Sequence, residues 1–231
     1  MGFWYNNAFL GPNSPCATSS GSPPKFDTAT GVPDNTINGS AYSAAAPFDL
    51  TGATYTCRSA DGKGELSYNA ATKVLTVNGP IFIDGTAVSS AVARYVGKGA
   101  IILSGTYSMS NGTALCVNLT GSNCDTAAAW DPNTNSLFII ADGTVAGTTH
   151  GIEIKKGQYQ GGLLANQDVY GEPASGTLIQ GPAISAYGNV SLGQSGTLSF
   201  PAISFPTSGT DGFTGPLPLP QLLPPQQFEG G

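Results

Sequence analysis

A chain of 231 residues with a formal net charge of −6 and only 10% charged residues has no basic face with which to displace phosphate counterions. That excludes nucleic acid and an anionic membrane surface as partners. Its 40% apolar residues are enough for a core, no stretch approaches a membrane span, and Ser, Thr, Asn and Gln supply the solvation that charge does not. Secreted and cell-surface β proteins share this composition.

Residues 1–52 read as an irregular N-terminal cap. Met1-Gly2-Phe3-Trp4-Tyr5 lacks the basic and apolar regions of a signal peptide, so the chain reads as a mature or trimmed piece of an exported protein. Phe3, Trp4, Tyr5 and Phe9 form an aromatic cluster ahead of a Ser/Pro/Gly-rich run. Two roles fit it: a cover for the exposed end of a core, or a sugar-stacking platform.

Cys16, Cys57, Cys116 and Cys124 allow three pairings. Proximity in sequence favours Cys116–Cys124 and leaves Cys16–Cys57, stabilising by about 2.6 and about 3.9 kcal/mol on the loop-entropy model; four buried free thiols are the other reading. Paired cysteines imply an oxidising, extracytoplasmic compartment. No CxxC occurs and His150 is the single histidine, so neither a zinc site nor any other cofactor is expected.

From residue 53 to residue 205 the pattern is a β-solenoid. Ala53–Arg58, Gly64–Tyr68 and Lys73–Val77 read as antiparallel strands, with Asn69-Ala70-Ala71-Thr72 as a hairpin turn. Beyond Asn78, Gly79-Pro80-Ile81-Phe82-Ile83-Asp84-Gly85-Thr86 is echoed twenty residues later by Gly99-Ala100-Ile101-Ile102-Leu103-Ser104-Gly105-Thr106. Ser175-Gly176-Thr177 and Ser195-Gly196-Thr197 keep the same offset, and Asp142-Gly143-Thr144 follows the strand Leu137–Ile140. A coil of this length suits short parallel strands joined at tight corners, with glycine at positive φ. An insertion within Tyr107–Asn135 interrupts the period. The apolar pulses are too short for helices.

Residues 206–231 form a Pro-rich tail with Pro206, Pro216, Pro218, Pro220, Pro224 and Pro225, which favour extended polyproline conformation. The tail is either loosely docked or an assembly contact to a neighbouring subunit through Leu217, Leu219, Leu222 and Leu223.

The stretches GPIFIDGTAVSS, GAIILSGTYSMSNGTALC, AWDPNTNSLFIIADG and GIEIKKGQYQGGLLA, with GFWYNNAFLGPNSPC before them, resemble the C-terminal β-solenoid region of actinobacterial exported envelope proteins of the PilX type, associated with pilus assembly. The resemblance covers most of residues 2–205 through many turn-and-strand matches. It implies an exported, cell-surface or pilus-linked protein and transfers no catalytic residue.

Polysaccharide-degrading β-helices need clustered acids, with or without an Arg or Lys base and calcium. No Asp-Asp pair exists here, and Arg58 and Arg94 are the only arginines. Asp84 and Asp142 precede glycine and fit turns. His150 reads as a solvated turn residue, with no nucleophile elbow to serve. Asp131-x-Asn133-x-Asn135 has the spacing of a calcium loop, but Ser136 stands where that loop needs glycine, so a plain turn is expected.

The sequence thus predicts an all-β parallel β-solenoid with a disulfide-pinned N-terminal cap and a Pro-rich tail. Functionally it predicts a non-enzymatic extracellular structural or adhesive protein, with self-association or other surface or pilus subunits as partners. The alternative is a carbohydrate-binding module that uses Trp4, Tyr5 and Trp130 as exposed glycan contacts.

Overall fold

The structure, a computed structural model, describes residues 47–200 except 59–63, 84, 146, 173–175 and 194–195, together with the backbone of the strands Cys16–Thr18, Thr36–Ile37 and Ser40–Ala41. It is an all-β parallel solenoid of about six turns. Each coil runs over three faces. One coil, for example, is made of Lys98–Leu103 on the first face, Tyr107–Met109 on the second and Ala114–Cys116 on the third.

Stacking follows the repeat. On the first face, Ile81, Ile101, Ile139, Leu163 and Ala183 lie one above the next in parallel register. On the second, the column is Ala87, Tyr107, Ile152, Val169 and Val190. On the third, Ala93, Leu115, Tyr159, Ile179 and Leu198 are stacked. Alternation along each short strand sends these side chains inward; those up to Leu163, Val169 and Ile179 form one continuous core with Ala183 packed against it, while Val190 and Leu198 in the last coil are exposed.

The hairpin expected at the start is present. Tyr55–Arg58 and Glu65–Asn69 pair antiparallel, as do Glu65–Asn69 and Val74–Ile83. Asn69 Oδ1 accepts from the amides of Ala71 and Thr72 at 3.0 and 3.1 Å, the side-chain turn that asparagine forms readily. The strand Val74–Ile83 then bends from the third face onto the first, converting an antiparallel sheet into the parallel stack. The solenoid begins earlier than residue 53, because Phe48–Asp49 pairs with Ala87–Ser89 on the second face.

Corners explain the glycines in two ways. Gly85 has φ 144°, as the repeat predicts. Gly105 and Gly143 do not lie among the positive-φ residues; they are glycines because the coils touch backbone to backbone there. A Cβ on Gly105 would lie 2.6 Å from the carbonyl carbon of Gly85. Beside this column, Thr86 Oγ1 and Thr106 Oγ1 are 2.8 Å apart and hydrogen bonded.

The insertion is shorter than the sequence suggests. Tyr107–Met109 and Ala114–Cys116 belong to the coil, so the excursion runs over residues 117–135. The disulfide Cys116–Cys124 (Cα–Cα 5.6 Å) ties it to the coil strand, and it contains a small hairpin, Leu119–Thr120 with Asn123–Cys124. Cys57 is also disulfide-bonded, and the strand register sets Cys16 directly across from it.

Candidate interaction surfaces

Three features rise above the plain scaffold: a polar clamp under the insertion, a histidine stack on the second face, and an apolar row on the first.

The clamp is built from glutamines on adjacent third-face strands. Gln158 Oε1 accepts from the Cys124 amide at 2.8 Å, and its Nε2 donates to Asn123 Oδ1 at 2.7 Å. Gln160 Oε1 accepts from the Val117 amide at 2.8 Å while its Nε2 donates to Gln180 Oε1 at 2.5 Å. Gln180 Nε2 in turn donates to the Asp125 carbonyl at 2.9 Å. Gln160 and Gln180 are buried, so their amides substitute for water at the Val117 and Asp125 backbone groups that they bond. Arg94 Nε donates to the Val117 carbonyl at 3.1 Å and holds its start. The sequence reading gave these glutamines no role; their recurrence at the twenty-residue offset 160/180 was the available signal.

Trp130 closes the far end of the insertion. It is only 5% exposed, its indole N–H donates to the Asn135 carbonyl at 2.7 Å, and its ring edge lies against Gly181. This corrects the expectation of an exposed ring for glycan contact: the indole is spent on the fold. Trp4 and Tyr5, the other proposed glycan contacts, lie outside the described residues, as do Leu217, Leu219, Leu222 and Leu223.

Asp131 behaves as a turn residue. Its carboxylate accepts from the Thr134 hydroxyl at 2.8 Å and the Asn133 amide at 2.9 Å. Those hydrogen bonds, the threonine first, hold the carboxyl below its usual range. Among the described residues no group of three or more His, Cys, Asp or Glu side chains could hold a metal ion.

His150 is not the solvated turn residue that its Thr-Thr-His-Gly context suggests. It opens the strand His150–Ile154, is partly buried, and stacks on Tyr170 with ring centroids 4.0 Å apart and planes 8° from parallel. The tyrosine is one rung on, because Glu153 pairs with Tyr170 across a register irregularity beside His150. Asp168 lies nearby but is engaged by the Thr149 hydroxyl and by the Asn189 amide. These bonds lower its pKa, the Thr149 hydroxyl most, with His150 a smaller contributor. The carboxylate therefore ties adjacent coils together rather than orienting the imidazole.

The third feature runs along the outside of the first face. Phe82, Ile102, Ile140, Leu164 and Ile184 occupy successive rungs in register, between the inward columns. Phe82 and Ile102 form a second apolar cluster, separate from the main core, with Ile140 packed against it. Exposure grows along the row: Phe82 and Ile102 are fully buried, Ile140 and Leu164 partly, and Ile184 is 53% exposed. Phe138, 43% exposed, lies beside the row with its ring over Gly162. A shallow groove of about 190 Å3 is lined by Ile140, Leu164 and Ala186, with Asp142 and Asn166 as its polar members. One carboxylate gives no acid pair, and the groove offers apolar contact rather than proton transfer.

No family model, no curated protein and no solved structure matches this chain. Among the described residues no helix is long and apolar enough to cross a membrane.

Proposed function

We propose that this chain is a non-enzymatic extracellular structural or adhesive module, a subunit of a filamentous or pilus-like surface assembly. The observation that carries the reading is the apolar row on the outside of the first face, ending at Ile184 with 53% exposure. Outward rows of a solenoid normally face water and are polar; a row of Phe, Ile and Leu on a chain so poor in charge marks a surface that gains by being covered. The disulfides support an oxidising, exported location.

A rigid stack suits this role because its flank keeps a fixed spacing over many coils. The tail of residues 206–231, with Leu217, Leu219, Leu222 and Leu223, is assigned to clasp the next subunit. The carbohydrate-binding alternative rests on Trp4 and Tyr5 alone once the Trp130 ring is internal.

The test is negative-stain electron microscopy of the oxidised protein beside Ile184→Asp and Leu164→Asp variants. Filaments or rings from the parent chain, lost in the variants with unchanged far-ultraviolet circular dichroism, are expected. Dispersed monomers of the parent at every concentration would remove the reading.

A further inference from the structure

The outward side of the first face is apolar over two columns. Two places before Ile102, Ile140, Leu164 and Ile184 on the same strands stand Ala100, Phe138, Gly162 and Pro182. The open part of this surface starts at Ile140, since Ile102 is fully buried. It holds the two exposed large apolar side chains of these strands, Phe138 at 43% and Ile184 at 53%.

Charge is confined to the margins, and the two margins differ in sign. Lys98 opens the strand Lys98–Leu103 and is exposed. Asp142 follows the far end of Ser136–Ala141, is exposed, and lines the groove with Ile140 and Leu164. Because Lys98 pairs in register with Ser136, Asp142 lies one rung along and six residues across from it. That separation is about 20 Å, too far for the two to meet within one chain. Neither side chain forms an ion pair among the described residues.

We propose that a second copy of this chain covers the open part of this face. The two first faces pack front to front about a two-fold axis parallel to the stack, so that Lys98 of each copy meets Asp142 of the other. The inference rests on the reading of this face as an assembly surface and names its partner.

Rotation about that axis exchanges the margins and the columns and leaves each coil opposite its counterpart. The lysine margin therefore lands on the aspartate margin, twice by symmetry. The remaining offset is one rung, about 4.8 Å, which a lysine stem spans. The same rotation brings the Ile140 row of one copy onto the Phe138 column of the other. The Phe138 ring, laid over Gly162, then meets Ile140 and Leu164 of the second copy, and Ile184 meets Pro182. Both exposed apolar side chains are covered. A two-fold axis along the strands instead sets lysine margin against lysine margin, so charge complementarity selects the axis as well as the partner.

Zero-length carbodiimide cross-linking of the oxidised full chain, read by peptide mass spectrometry, tests the contact without any variant. A Lys98–Asp142 link is expected in the dimer band and not in the monomer band. In sedimentation equilibrium, Lys98→Glu or Asp142→Lys alone should weaken dimerisation at least about tenfold, with unchanged circular dichroism. The double variant, which only swaps the signs, should return to within about threefold of the parent. Monomers at every concentration would overturn the proposal and leave the face to another segment of this chain or to a different partner. So would dimers that lack the link, or a double variant no better than either single one. Filaments that persist through both charge reversals would remove this pairing and keep the proposed function. Cross-linked dimers that never extend would keep the pairing and remove the filament.

Discussion

The substitution Gln160→Glu tests how the insertion is held. Gln160 uses its oxygen and its nitrogen at once, accepting from the Val117 amide at 2.8 Å and donating to Gln180 Oε1 at 2.5 Å. An ionised carboxylate there keeps the first bond and turns the second into two acceptors facing each other in a buried place. An unsatisfied buried polar group costs about 1–3 kcal/mol, and more when charged, so the loss at pH 7 should be about 3 kcal/mol. Protonating the carboxyl restores a donor toward Gln180. The folded state therefore raises the pKa of the introduced carboxyl above the unfolded value of about 4.3. Stability linked to such a group is fully present below the unfolded pKa and is lost as pH rises through the folded one. Urea unfolding at pH 4 and pH 7, followed by circular dichroism, should show a small deficit against the parent chain at the lower pH and a large one at the higher. Equal deficits at both values would refute the clamp as an amide-specific device.

Gly105→Ala should destabilise the chain by about 3 kcal/mol or more, read as a fall in thermal midpoint, because the new methyl would sit 2.6 Å from the Gly85 carbonyl group. Gly112→Ala, with open space around its Cβ but φ 71°, should lose only about 1 kcal/mol; equal losses would show that packing at the corner is not the cause. The buried tyrosines predict weakness at alkaline pH. Burial raises the pKa of Tyr55, Tyr107 and Tyr159, and for Tyr107 it outweighs the opposing hydrogen bond with Ser89. A raised folded pKa means stability that is full below about pH 10 and falls as pH climbs past it. Ultraviolet titration should therefore show these phenols ionising together with unfolding; early ionisation without unfolding would contradict their burial.

The legible part of the fold was the part written as repetition. The echo of Gly79–Thr86 in Gly99–Thr106 became the register of Ile81 on Ile101 and Gly79 on Gly99, because parallel coils must match residue for residue to share one interior. The hairpin turn at Asn69 was equally local, since its side chain bonds amides two and three residues away. Even the outward apolar row had a signal. Ile81-Phe82-Ile83, Ile101-Ile102-Leu103 and Phe138-Ile139-Ile140 are unbroken apolar runs, and a strand that faced water on one side would alternate.

By itself, then, the sequence determined the all-β class, the short parallel coils and the hairpin that starts them, because turns, strand length and alternation are set by neighbours along the chain. Tertiary structure alone decided the rest. Trp130 is buried because Gly181, fifty-one residues away in sequence, leaves room for its ring edge. His150 is stacked because Tyr170 arrives one rung later. Gln160 and Gln180 are clamps because an excursion from an earlier coil folds back over them. Each of those roles depends on which coil lies over which, and contact between coils is a property of stacking that no window of sequence contains.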